Sequence, residues 1–266
     1  AVVGETIEQN IRGTFPTTTL DASDYSRLER TTVEDDDGND VFVTESATVD
    51  TLESSANETD TEVDIGQGDV SYTVQYSPGF TVNDTVQMLG NEYELVSVSD
   101  TEVDLGSTME QTGLVVGDSY SHGPYSVEVV DRDEENSEIF VRISRDEEVL
   151  KSRGLGSGGE IEVDDGDFSV TADSVFFGSN QDYIDVTSTH VNTVLEEGED
   201  LPMDDNYQVN TIETGTSAFG DTTLQNIKAS NTLVTAEEPE EEETEPLTEG
   251  TSFPGPSEYF TVTYQG

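Results

Sequence analysis

The sequence predicts an all-β protein built from tandem β-sandwich domains with short strands. Three observations carry that prediction. Apolar and polar residues alternate over short runs, most cleanly in "DVSYTVQYSPGFTV", where Tyr72, Val74 and Tyr76 share one face with the period of a half-buried strand. Gly, Asp, Asn or Ser stands at nearly every break between runs, and these residues favour turns through positive φ or side-chain-to-backbone bonds. The runs recur at near-regular spacing, as the strands of a sandwich do.

Taken in order, residues 1–68 are rich in Thr and acids, with the strand-like runs "DVFVTESATVDTL" and "TEVDIG" after an acidic turn, "EDDDGND". The opening "AVVGETIEQNIRGTF" reads as either a strand or a short helix. Alternation is strongest from 69 to about 188, through "EYELVSVS", "EVDLG", "PYSVEVVDRD", "SEIFVRISRD", "GEIEVDDGDFSVTA" and "DYIDVTS". Residues 194–236 continue in a looser form. "AEEPEEEETEPLTEGTSFPGP" is then rich in Pro, Glu and Thr, and like charges in a block repel and extend the chain. These shifts predict a first β domain at 1–112, a second β sandwich at 113–236, an acidic linker at 237–257 and a C-terminal strand at 258–266. The tail repeats an earlier strand, since Phe260, Val262 and Tyr264 match Tyr72, Val74 and Tyr76. Three readings stay open for it: the first strand of a further module, a donor strand completing a neighbour's sandwich, or a frayed terminus.

Composition narrows the function classes. The chain has 266 residues, 60 Asp and Glu against 9 Lys and Arg, and a net charge of −51. Such a chain repels itself strongly in dilute buffer, and molar salt shortens the screening length to about 3 Å. The expectation is a protein from a halophilic source. The charge argues against nucleic acid as a partner, and it makes cations, Ca²⁺ or Mg²⁺ among them, the natural ligands. With no Cys, disulfides, thiolate metal sites and Cys nucleophiles are excluded. No run of 18 or more apolar residues occurs, so no transmembrane segment is expected in this chain.

A loose repeat runs through the strands. A turn residue precedes an aromatic by eight or nine positions at Asp84–Tyr93, Gly117–Tyr125, Gly159–Phe168 and Gly198–Tyr207. Each aromatic opens an alternating stretch: "YEL", "YSV", "FSV", "YQV". Repeated supersecondary units serve architecture, and the four aromatics are expected to be core anchors.

The stretch "TVNDTVQMLGNEYELVSVSDTEVDLG" resembles the opening of the archaeal S-layer domain of methanogen surface proteins. The matching positions are Val82, Asp84, Val86, Leu89, Gly90, Tyr93 and Leu95. "GPYSVEVVDRDEENSEIFVRISRDEEVL" is similar to a later hairpin of that family, pairing Tyr125, Val127 and Val129 with Ile139, Val141 and Ile143. The chain departs from the family in its acidity and in Asp146–Glu147, where Gly is usual. The resemblance covers about 70–210. It implies a tandem β-sandwich surface protein that forms a cell-envelope lattice without catalysis.

The search for chemistry finds little. His122 and His190 show no metal-ligand spacing and are expected on the surface. Phosphate-loop, dinucleotide and nucleophile-elbow motifs are all missing from the sequence, and "GLGSGGE" reads as a turn. With so many carboxylates, a close pair is no glycosidase signal. Three acid-rich turns are candidate Ca²⁺ or Mg²⁺ sites, because these ions take six to eight, or six, oxygen ligands. They are Asp35, Asp37 and Asn39; Asp131, Asp133 and Asn136; and Asp164, Asp165 and Asp167. Two sequons offer N-glycans at Asn57 and Asn83. The functional expectation is an extracellular, non-enzymatic glycoprotein that assembles with itself at a halophilic archaeal cell surface. The alternatives are a filament subunit or virion tail or spike protein joined by strand donation, and last a secreted hydrolase or carbohydrate-binding module.

Overall fold

The structure is a computed structural model describing residues 5–9, 18–20, 26–34, 38–49, 52–56, 61–178, 182–236 and 243–264. It is all-β and sandwich-like, with 71% strand and 3% helix. The chain groups into two compact units, one of residues 1–103 with 194–266 and one of 104–193. This grouping differs from the sequential domains at 1–112 and 113–236 read from the sequence. The second unit is an insertion: the chain enters and leaves it within long strands, where no break in alternation marks a boundary.

The strands before the insertion are β1 (Glu5–Gln9), β2 (Thr18–Leu20), β3 (Ser26–Glu34), β4 (Asp40–Val49), β5 (Leu52–Ala56), β6 (Thr61–Asp64), β7 (Val70–Phe80), β8 (Thr85–Met88) and β9 (Asn91–Val98). The insertion holds most of β10 (Glu102–Leu114) and all of β11 (Ser119–His122), β12 (Tyr125–Asp133), β13 (Glu138–Arg145), β14 (Glu148–Leu155), β15 (Glu160–Val163) and β16 (Phe168–Phe177). The chain leaves it along β17 (Asp182–Glu196). There follow β18 (Asp200–Leu201), β19 (Asp204–Thr216), β20 (Thr222–Asn231), β21 (Val234–Thr235), β22 (Glu243–Thr244), β23 (Ser252–Pro254) and β24 (Phe260–Tyr264).

The inserted unit is a sandwich. One sheet runs β11-β12-β13-β14 and the other carries β15-β16-β17-β10. Their inner faces supply Tyr125, Val127, Val129, Ile139, Val141, Ile143, Phe168, Val170, Ile184 and Val186 to one core. The β12–β13 hairpin has the predicted partners, with Val127 opposite Ile143 and Val129 opposite Val141. A bulge between Val129 and Asp131 shifts the register beyond them. The first unit is organised on the sheet β18-β19-β20-β7-β4-β3. Tyr72, Val74 and Tyr76 all face its core, as the period-two pattern requires.

The repeat has a definite geometry. Its members open on four-residue turns at Thr81–Asp84, Val115–Asp118, Gly156–Gly159 and Glu196–Glu199, each closed by a bond from the fourth N–H to the first carbonyl. The third residue has positive φ in every case, at Asn83, Gly117, Gly158 and Gly198, which defines type II turns. That third residue donates to a carbonyl on the long strand that follows, and the same strand residue donates back to the fourth. The closing residues are Leu95, Val129, Ala172 and Val209. Two residues thus oppose one, a β-bulge of the type that wants Gly in the left-handed region. Thr248–Thr251, with Gly250 at positive φ and closing on Tyr264, is a fifth copy within the segment read as linker.

Each turn leads into a strand of two to four residues: β8, β11, β15, β18 and β23. All five lie at an outermost position of their sheets. Short edge strands and bulges are how β proteins avoid pairing with one another. The repeat is therefore an edge-forming device as well as a core anchor.

Of the four predicted anchors, Tyr125, Phe168 and Tyr207 are buried. Tyr93 is only half-buried. It sits opposite Val86 on the outermost strand pair of its sheet, and Leu95 is the buried residue of that copy. The tail also differs from the expectation of a lone strand. β24 pairs antiparallel with β23 and parallel with β1, and Phe260, Val262 and Tyr264 are buried. From Glu243 onward the linker segment is folded: Leu247 bridges to Val63, and Phe253 is buried. Residues 237–242 lie outside the described residues.

Candidate functional site

In the first unit the polar centre is Glu45 on β4. Its carboxylate accepts hydrogen bonds from the Tyr72 hydroxyl, from the Leu89 N–H at 3.0 Å and from the Tyr259 hydroxyl at 2.8 Å. Leu89 is held at positive φ in the two-residue turn Leu89–Gly90. A Cβ on Gly90 would stand 3.2 Å from the Tyr259 ring. The Tyr72 and Tyr259 rings meet edge to face at 6.0 Å. Burial first, and then the nearby Glu45, pushes the Tyr72 hydroxyl well above its ordinary value. Tyr72 is therefore a fixed donor and takes no part in proton transfer near neutral pH. The arrangement clamps the β8–β9 hairpin and the C-terminal segment onto one carboxylate. Further ties join the C-terminal segment to β19: the Tyr207 hydroxyl donates to the Pro254 carbonyl at 2.8 Å, and the Ser257 N–H donates to Asp204 at 2.6 Å.

In the second unit the two histidines come together. His122 is buried and His190 is half-buried, where the sequence reading placed both on the surface. Both lie at one end of the sandwich core, because His122 closes β11 opposite Tyr125 and His190 pairs with Phe168. Their rings are 5.8 Å apart, and Tyr125 stacks on Phe168 at 4.2 Å. Space there is tight, since a Cβ on Gly106 would fall 2.0 Å from the His190 carbonyl oxygen. The Ser188 hydroxyl donates to the Met109 carbonyl at 3.3 Å, so it accepts from His122 Nδ1 at 2.9 Å. His122 Nε2 then accepts from the Ser107 hydroxyl at 2.8 Å. A serine bonded to an imidazole has the outline of a nucleophile and its base. Here the orienting partner is a hydroxyl and not a carboxylate. Burial, then His190, lowers the affinity of His122 for a proton. The pair reads as a hydrogen-bonded tie between β10, β11 and β17.

The five cations of this unit are all engaged within it. Arg142 pairs with Glu128 at 3.1 Å, Arg145 with Asp164 at 2.7 Å, and Arg132 with Asp182. Lys151 donates to the Glu162 carbonyl at 2.9 Å and Arg153 to the Glu160 carbonyl at 3.2 Å. The last two come from edge strand β14 and cap main-chain carbonyls of edge strand β15.

The predicted ion ligands fare unevenly. Asp35 and Asp37 lie outside the described residues, and Asn39 is exposed. Asp133 accepts from the Glu135 and Asn136 N–H groups and from the Asn136 amide. Those bonds, led by the Asn136 side chain, hold its carboxyl below the usual carboxylate range. The carboxylate of Asp131, itself exposed, accepts from the Arg132 N–H. Asp164 is occupied by Arg145 and by the Tyr125 hydroxyl at 2.7 Å, while Asp165 and Asp167 face solvent. Among the described residues, no three or more His, Cys, Asp or Glu side chains are grouped to hold a metal. Asn57 lies outside the described residues. Asn83 is exposed at the third position of its turn.

Large exposed apolar side chains are scattered. Val82 and Val116 sit at turn corners, and Phe219 is 90% exposed at the tip of the β19–β20 hairpin. No helix among the described residues is long and apolar enough to cross a membrane. No protein-family model matches the chain, and no curated protein is significantly similar to it.

Proposed function

We propose that the chain is an extracellular structural protein of a halophilic archaeon that assembles with copies of itself into an S-layer-like lattice. The observation that carries this reading is the use of one turn-and-bulge hairpin five times, each copy spending its residues on a core strand and a sheet edge. Repetition of that kind supports an architectural role. The polar clusters around Glu45 and His122 spend their hydrogen bonds on holding strands together, which suits an architectural role. The net charge of −51 suits a surface bathed in concentrated salt. The exposed carboxylates of Asp131, Asp165 and Asp167 suit Ca²⁺ or Mg²⁺ held between copies. Asn83, exposed at a turn corner, suits an N-glycan.

A second reading, a filament subunit or virion tail or spike protein joined by strand addition, is favoured by the parallel pairing of β1 with β24.

Sedimentation in molar salt tests the proposal. Adding Ca²⁺ shifts the protein from slow to fast-sedimenting species, and a chelator reverses the shift. A single slow species under every condition and concentration overturns it.

A further inference from the structure

Among the described residues, strand β1 has its sheet partner near the other end of the sequence. It pairs in parallel with β24 over five rungs, Glu5 opposite Phe260 through Gln9 opposite Tyr264. The sheet holds only β1, β24 and β23. Without β1, what remains is a two-stranded hairpin with an open edge, an arrangement that is marginal by itself. Among the described residues β1 pairs with β24 alone, so leaving this edge breaks no other ladder described there.

We propose that β1 is an exchangeable strand, and that in assembled protein the edge of β24 receives β1 from a second copy. This rests on the self-assembly reading and names its contact. Three observations support a second copy as the occupant. The register is already written in this chain, so the partner strand has the same sequence and the same rungs. Five sheet edges carry the repeat's short strands, and Lys151 and Arg153 cap one of them, β15. The net charge of −51 is screened in molar salt, and strand addition then supplies main-chain hydrogen bonds without needing a large apolar face. The same pairing forms within one chain or between two, so concentration decides between them. Passing an N-terminal strand to the C-terminal sheet of the next copy is a head-to-tail contact. Passed on from copy to copy, rather than returned within a closed pair, the strand propagates a row or filament.

The absence of Cys permits a direct test. Thr6 and Thr261 are register partners. Neighbouring strands lie at a separation that a disulfide spans. The variant Thr6→Cys/Thr261→Cys is assembled in molar salt, oxidised and run under denaturing, non-reducing conditions. Strand exchange gives a ladder of covalent multimers, most of the monomer band being lost. Assemblies holding only internally cross-linked monomers, or no cross-link, overturn the exchange and leave self-assembly standing. Protein that stays monomeric by light scattering, with an internal cross-link only, overturns both. Because the cysteines could disturb folding, unmodified protein is also assembled with an excess of a peptide of residues 1–9. Exchange predicts a several-fold loss of pelleted material, and an unchanged pellet overturns it.

Discussion

The two units solve one problem with different side chains. The inserted unit, of 90 residues, holds five of the nine cations and both histidines. It closes its core end with an aromatic stack and imidazoles, and its open edge with Lys151 and Arg153. The larger unit has four cations for about twice the residues. It gathers its loops on a carboxylate, with Tyr72, Tyr259 and the Leu89 N–H around Glu45. A chain this acidic can seat a half-buried carboxylate among neutral donors where donors converge. The five cations of the inserted unit all cover carbonyls or carboxylates.

Phe168→Ala removes the buried stack on Tyr125 at the end of the inserted unit's core, and should cost about 3–5 kcal/mol. Thermal melting in molar salt checks this, and the loss should appear in the inserted unit's amide protection before that of the larger unit. Glu45→Ala removes the acceptor of the Tyr72 and Tyr259 hydroxyls and leaves the Leu89 N–H only the Tyr72 oxygen, at about 1–3 kcal/mol. Hydrogen exchange should show the C-terminal segment opening, while the inserted unit keeps its protection.

Next comes the edge. Replacing both Lys151 and Arg153 by Ala removes two exposed hydrogen bonds, about 1 kcal/mol together after screening by solvent. The larger consequence is non-specific association through uncovered β15, read as light scattering in chelator, where the wild type is dispersed. The histidine cluster sharpens the contrast by pH. His122 binds a proton less readily folded than unfolded. The unfolded state therefore protonates first, and stability falls as pH drops below about 6.5. A denaturation series across pH 7 to 5 should show this slope, and His122→Gln should flatten it. The smallest effect is at the β13–β14 turn, where Asp146 and Glu147 both take positive φ. Glu147→Gly relieves that position and should stabilise by about 0.5–1 kcal/mol, measured by denaturant midpoint.

The strands were legible because burial on one face writes a period of two, as at Tyr72, Val74 and Tyr76. The repeat was legible as a turn followed by an aromatic, and three of its four anchors are buried. Tyr93 was misread because sequence spacing does not tell which strand pair ends up outermost. The fifth copy was hidden in a segment whose acidic composition suggests a linker, although Gly250 and the Phe260–Tyr264 alternation carried the signal. The insertion could not be read, since β10 and β17 keep alternating across its borders. The Glu45 cluster depends on residues up to 214 positions apart, and nothing local in "VTESATV" announces it. The two histidines offered one clue, their rarity, but their meeting depends on β11 and β17 reaching the same end of the core.

The most direct test of the account is negative-stain electron microscopy of the pure protein in molar salt, with Ca²⁺ and then with chelator. The account predicts ordered sheets or filaments that dissolve on chelation. Single dispersed particles under every condition, at concentrations high enough for strand exchange, would contradict it.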